Sequence, residues 1–153
     1  MSREAPVRVL VFRLPGARDL PFPRRATDRS AGFDLRASLD APLTIAAGGR
    51  ALVPTGIAVA LPAGYEAQVR PRSGLAVERG LTLLNAPGTV DADYRGEIGV
   101  VMVNLGAEPV TIGRGDRIAQ LVVQRVPEVE LVEADSLPET ERGSGGFGHT
   151  GTV

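Results

Sequence analysis

The sequence predicts an all-β barrel or sandwich, and three observations carry that expectation. Short runs rich in Val, Ile and Leu recur along the chain, and most are bounded by turn residues such as "AGG", "PAGY", "APG", "NLGAEP" and "GRGD". Only one stretch reads as a helix. No repeat of roughly 20 to 50 residues returns, which argues against a solenoid or propeller. With 153 residues, 43% of them hydrophobic, the chain is about one domain with a single core.

The predicted strands follow in order: VRVLVF (7–12), LTIAA (43–47), ALVPTGIAVAL (51–61), EAQVRP (66–71), LTLLNA (81–86), EIGVVMVNL (97–105), RIAQLVVQRV (117–126) and VELVEA (129–134). Strands at this spacing suit a barrel or sandwich. The one helix is SGLAVERG (73–80), with Ser73 as amino-terminal cap and Gly80 as its stop. After Val126 the composition changes. "PEVELVEADSLPETE" carries acids and no base, and "RGSGGFGHTGTV" is nearly half glycine. Such a terminus loses too much backbone entropy to fold alone, and reads as a tail that is either mobile or ordered by a ligand. The expected organisation is a β domain over 1–136 and a tail over 137–153.

Charge and composition exclude several function classes. The net charge of −1 gives no field that steers the chain to nucleic acid or an anionic membrane. Every one of the 17 basic residues is arginine, which fits either phosphate recognition by the guanidinium fork or a coding bias. There is no cysteine, so disulfides and thiolate chemistry are excluded. The amino-terminal apolar run is too short for a signal peptide, and no stretch approaches the roughly 20 apolar residues of a membrane span. A soluble cytoplasmic protein is expected.

Three stretches carry candidate chemistry. In "PRSGLAV", Arg72, Ser73 and Gly74 stand where the helix begins, which is either an ordinary helix start or an anion site with free N–H groups and a guanidinium. "RGSGGFGHTG" (142–151) has the glycine density of a phosphate loop but lacks the lysine and spacing of GxxxxGK[ST]. Phe147 there needs a partner, and a nucleobase face is a natural one. In "GTVDADYRGEI" (88–98), Asp91 and Asp93 are either polar turn residues, one of them a base, or a pair on one strand face able to hold a metal. Tyr94-Arg95-Gly96 favours the turn.

"SAGFDLRA" (30–37), "PRSGLAV" (71–77), "NAPGTVDADYRGEIGVVMVN" (85–104), "GDRIAQLVV" (115–123) and "RGSGGFGHTG" (142–151) together resemble, in order and spacing, the five motifs of the homotrimeric deoxyuridine triphosphatases. The resemblance runs from about residue 5 to the end. It implies a jelly-roll-like β-barrel subunit, a homotrimer with active sites built from all three chains, and hydrolysis of dUTP to dUMP and pyrophosphate with Mg²⁺. That reaction keeps uracil out of DNA and supplies dUMP for thymidylate synthesis.

The same resemblance assigns roles. Asp91 is the base that activates water, and Asp93 a turn residue. Asn85, Gly88, Thr89, Val90, Asp91 and the strand near Gly99 form the hairpin that reads uracil, and Tyr94 lies beneath the deoxyribose and excludes a 2′-hydroxyl. Arg72, Ser73 and Gly74 bind phosphate, while Gln120 holds phosphate or the attacking water. Asp34 reaches the metal through water. In the tail Arg142 meets the γ-phosphate and Phe147 stacks on uracil. Gly148 and His149 make further substrate contacts, His149 standing where the family often has serine. Two rivals of the same fold are a dCTP deaminase-like enzyme, whose second motif usually has paired serines where this chain has "PRSG", and a catalytically silent nucleotide-binding module.

Overall fold

The computed structural model describes residues 5–147. Among them are eleven strands and one α-helix. In chain order these are β1 (Leu10–Arg13), β2 (Phe33–Arg36), β3 (Leu43–Ile45), β4 (Arg50–Pro54), β5 (Ile57–Ala60), β6 (Tyr65–Arg70), α1 (Ser73–Arg79), β7 (Leu81–Leu83), β8 (Gly88–Val90), β9 (Gly99–Asn104), β10 (Val110–Ile112) and β11 (Arg117–Arg125). A short 3-10 turn occupies Pro15–Ala17. The strands form four antiparallel sheets in the orders β2-β11-β6-β8, β4-β9-β7, β1-β5 and β10-β3. This is the all-β architecture that the strand spacing predicts, and it agrees with the jelly-roll-like subunit that the family resemblance implies.

Period-two burial explains why the sheets close on one core. Val53, Leu81, Val100, Met102, Leu35 and Ile118 are fully buried; the strand neighbours of Leu35, Val53, Leu81 and Val100 turn outward, while Val103 beside Met102 and Ala119 beside Ile118 are buried as well. The predicted single run 51–61 divides into β4 and β5, which pair with β9 and β1 respectively. The division falls at Gly56, whose φ of 68° turns the chain from one sheet into the next. An added Cβ there would overlap the Ala17 and Ser38 side chains. Leu14 donates its N–H to the Gly56 carbonyl, and Thr55 donates its hydroxyl to the Ile98 carbonyl at 2.6 Å, so both sides of the corner are fastened.

The helix ends as expected and begins differently. Gly80 closes α1 at φ 65°, and its N–H donates to the Ala76 carbonyl. Arg72 holds the cap position without a side-chain capping bond, which makes Ser73 the first helical residue instead of the cap. The predicted strand 129–134 does not form: residues 127–134 lie outside any strand, with Leu131 fully exposed. β2, β8 and β10 were not among the predicted strands.

Asn104 locks one end of the fold. It is completely buried, its amide donates to the carbonyls of Ile45 (3.0 Å) and Glu108 (2.8 Å), and its Oδ1 accepts from Gly106 N–H (2.9 Å). Its backbone exchanges further bonds with Gly48 and Gly49. At the surface Arg114 grips Asp19 through two nitrogens at 3.0 and 2.6 Å, and that guanidinium holds the Asp19 carboxyl below its ordinary value. The pair is exposed, so solvent screening keeps its contribution small. Burial makes Asn104 the more consequential of the two. Asn104→Leu strands two carbonyls and an N–H, and should cost about 3 kcal/mol. In a thermal melt at fixed concentration this corresponds to a fall in Tm of roughly 10 °C; an unchanged Tm would show that the side-chain bonds do not hold this end together.

Candidate active site

Two groups of side chains emerge from the strand registers. The first surrounds a cavity of about 140 Å³ between β8 and the start of β9. It is lined by Asn85, Gly88, Thr89, Val90, Tyr94 and Gly99, with Val69, Leu83, Glu97, Ile98 and Val101 completing the wall. Gly88 is buried where the chain passes closely over Val69. The volume is ample for several waters or a small planar ring. Polar groups at its rim include the Asn85 amide and the backbone of β8, whose far edge has no further strand partner in its sheet.

Asp91 follows directly on β8, where the chain turns. Tyr94 donates its N–H to the Asp91 carbonyl at 3.1 Å, and Arg95 donates to the carbonyls of Ala92 (2.6 Å) and Tyr94 (3.0 Å). Asp91 and Asp93 are both exposed, and the strand has already ended at Val90. The two carboxylates therefore belong to a turn, and the reading of a metal-holding pair on one strand face is not supported. The Tyr94 ring lies over Gly96, and its hydroxyl donates to the Glu97 carbonyl at 2.9 Å.

The second group sits on β2, β11 and the start of α1. Asp34 is paired with Gln120, and Gln120 with Arg70, so the three stand in a row across β2, β11 and β6. Gln120 donates to the Pro71 carbonyl at 3.0 Å and packs on Gly32, where an added Cβ would collide with its side chain. Asp34 lies between two guanidiniums, 3.6 Å from Arg72 Nε and 3.3 Å from Arg117 Nη1. Arg72 also donates to the Arg117 carbonyl at 3.2 Å. Ser73 and Gly74 are exposed at the start of α1, where the first helical N–H groups have no partner within the helix. Arg117 was not among the residues singled out from the sequence. A register shift between Arg117 and Ala119 pairs Arg117 with Arg36, which returns its side chain to the Asp34 face.

The Asp34 row and the Val69–Gly88 wall of the cavity lie on opposite faces of one sheet, although Thr89, on the row's face, also lines the cavity. Residues directly opposite across a ladder share a face and chain neighbours alternate. Asp34, Gln120 and Arg70 therefore lie on one face, and Val69 with Gly88 on the other, toward the cavity. None of Asp34, Arg72, Ser73, Gly74 and Gln120 lines the cavity. Nor do Arg142 and Phe147: Arg142 is exposed and bonded to its neighbour's carbonyl at Gly145, and Phe147 is fully exposed. Gly148 and His149 lie outside the described residues.

A single carboxylate constrains any metal. No cluster of three or more His, Cys, Asp or Glu side chains occurs among the described residues, so no protein cage for an ion exists there. Asp34 is already paired with two guanidiniums, so the cluster suits phosphate better than a bare cation, and a hard ion such as Mg²⁺ would reach Asp34 only through water and in company with phosphate oxygens. No helix among the described residues is long and apolar enough to cross a membrane.

The fold is shared with known proteins. The dUTPase of Staphylococcus bacteriophage 80alpha, solved as a variant with dUpNHpp, superposes with a TM-score of 0.84 at 24% identity, over 95% of this chain and 99% of that one. A dUTPase variant from phage phi11 of S. aureus, whose structure describes coordination of a structural Mg(II) ion, gives a TM-score of 0.76 at 22% identity over 86% of this chain and 99% of its own. The dUTPase family model matches residues 18–151, which takes in all five motifs. The chain belongs to the dUTPase family and is a dUTP diphosphatase.

Proposed function

We propose that the chain carries out its hydrolysis of dUTP, to dUMP and pyrophosphate, in sites shared between copies in a homotrimer, with Asp91 as general base. The carrying observation is the two-faced sheet: the cavity and the Asp34–Gln120–Arg72 cluster face away from each other in one chain. Bringing both to one nucleotide takes the cavity of one copy and the cluster of a second. The tail, 137–153, supplies the closing segment, with Arg142 toward the terminal phosphate and Phe147 over the base.

Each residue then has a task. The cavity takes uracil, whose edge pairs with Asn85 and the β8 backbone, and its close walls leave no room for a thymine methyl. A cytosine edge would leave buried polar groups mispaired, which discriminates more strongly than a missing methylene. Tyr94 lies under the sugar. Arg72, Ser73, Gly74 and Gln120 hold the phosphates in line. Asp91, exposed at the end of β8, accepts the proton of a water that attacks the α-phosphorus, and the bond to the β-phosphate breaks with pyrophosphate leaving. Mg²⁺, when bound near Asp34 through water, would offset the charge of that leaving group. A dCTP deaminase would release ammonia instead, so incubation with dUTP, dCTP, dTTP and UTP and measurement of pyrophosphate and ammonia tests the reading. Comparable turnover of dTTP would overturn the uracil pocket.

The turn geometry separates the two aspartates. Asp91→Asn should keep the fold and much of the binding while lowering kcat about 10²- to 10⁴-fold, and Asp93→Asn should cost far less. Equal losses in steady-state assays would place the base elsewhere.

The contact between Gly32 and Gln120 gives a second expectation. Gly32→Ala has no left-handed backbone to strain, yet its methyl displaces Gln120. Turnover should fall about tenfold or more with little change in Tm. Wild-type turnover in this variant would show that the Gln120 position is immaterial.

Shared sites predict complementation. Asp91→Asn with an intact tail and a second chain ending at Glu141 should each be nearly inactive as pure assemblies. Unfolded together and refolded, they should recover activity well above the mean of the two. If mixed assemblies demonstrably form and none returns, base and tail act within one chain.

A further inference from the structure

Glu97 is a half-buried carboxylate on the cavity wall that the reaction itself does not use. Its Oε1 accepts the N–H of Gly56 at 2.7 Å, across 41 residues of sequence. Gly56 is buried in a left-handed corner, and its carbonyl is in turn bonded by Leu14. The backbone carbonyl of Glu97 is the acceptor for the Tyr94 hydroxyl. One residue thus joins a rigid corner of the core to the ring at the mouth of the cavity.

The next residue is held independently. Ile98 donates its N–H to the Ile57 carbonyl at 2.8 Å, and its own carbonyl accepts from both the hydroxyl and the N–H of Thr55. The strand entry at Ile98 therefore stays fixed whatever happens to the Glu97 side chain. What the carboxylate governs is the stretch just before it, 94–97, where the ring is attached. Gly96 adds no side-chain support there, and the Tyr94 ring rests directly on it.

We infer that Glu97 is a positioning residue for sugar selection: by accepting the Gly56 N–H it fixes the carbonyl that anchors Tyr94, and so sets how strongly deoxyribose is preferred to ribose. The inference rests on the proposed placement of the sugar over Tyr94. A 2′-hydroxyl is rejected only if the ring cannot retreat. With the strap cut, the 94–97 turn gains freedom and a ribose is better tolerated.

The test is the ratio of kcat/KM for dUTP to that for UTP in the full-length protein, with Tm measured alongside. Glu97→Ala leaves the buried Gly56 N–H unpaired, so some loss of Tm accompanies it in any case. A merely structural role would stop there. The inference expects the dUTP/UTP ratio to fall by about tenfold, through a raised KM for dUTP and improved use of UTP. Glu97→Gln keeps an oxygen acceptor at the same reach and should stay within about threefold of the wild-type ratio. Tyr94→Phe removes the other half of the strap, so adding Glu97→Ala to it should lower the ratio little further. Should Glu97→Ala fail to fold, Glu97→Asp, whose carboxylate is one methylene too short for Gly56, carries the same expectation. An unchanged ratio in Glu97→Ala or Glu97→Asp, a Gln variant as impaired as the Ala one, or full additivity with Tyr94→Phe overturns the inference. Wild-type protein that does not hydrolyse dUTP would instead sink the functional reading beneath it.

Discussion

The register of β11 is the constraint on which the site depends. This strand pairs with β2 on one side and β6 on the other, and its nine residues carry Gln120 and Arg117 on the polar side while burying Ile118, Ala119 and Leu121. Because side chains alternate with period two, a slip of one residue would bury Gln120 and expose Leu121. The apolar load on one face therefore fixes which polar groups meet on the other. Asp34, Gln120 and Arg70 come into line because Leu35, Ala119, Leu121 and Val69 must be inside. The register shift beside Ile118 is the exception that completes the pattern. It buries Ile118 and still delivers Arg117 to Asp34.

Electrostatics at that row follow from the same geometry. One carboxylate between two guanidiniums leaves the cluster with an excess of positive charge, while Asp34 limits the freedom of two long side chains. Restricting them before a ligand arrives lowers the ordering cost of binding. Arginine suits this arrangement better than lysine, because its fork can keep a bond to Asp34 and still offer N–H groups outward. The cavity works differently, through backbone donors and acceptors on a short strand edge and through close walls at Gly88 and Gly99. In the proposed function, charge would select phosphate at one face, and shape and edge pairing the base at the other.

The sequence made much of this legible, for reasons visible in particular residues. β9 and β11 are dense in Val, Ile and Leu, and turn glycines stand just before β11 and just after β9. Asn85, Gly88, Thr89, Val90, Tyr94 and Gly99, singled out together, line one cavity. What stayed hidden depends on distant partners. β8 and β10 have three residues each and, unlike the equally short β3 and β7, no further apolar residues extending them in sequence; they exist because β6 and β3 present edges to them. Glu97 and Gly56 are 41 positions apart, and nothing local to either announces the bond. Arg117 looked like an ordinary strand end because the shift that re-aims it is a property of the pairing with β2. Ser73 fits a cap by type, yet Arg72 in extended conformation takes that place.

The segment after β11 shows the converse, a pattern without a partner. Val129 and Leu131 alternate with Glu128 and Glu130, the period of a half-buried strand, yet the segment is exposed and unpaired. Alternation confers the capacity to pair, and an edge with a complementary face must supply the pairing. Within this chain the hydrogen bonds of the later segment stay local, among Thr140, Arg142, Gly143 and Gly145. An exposed alternating strand is an association hazard unless it is charged, covered or paired. Glu128, Glu130, Glu133 and Asp135 provide the charge, since like segments carrying them repel one another. The acidic composition therefore disfavours pairing of one such segment with another.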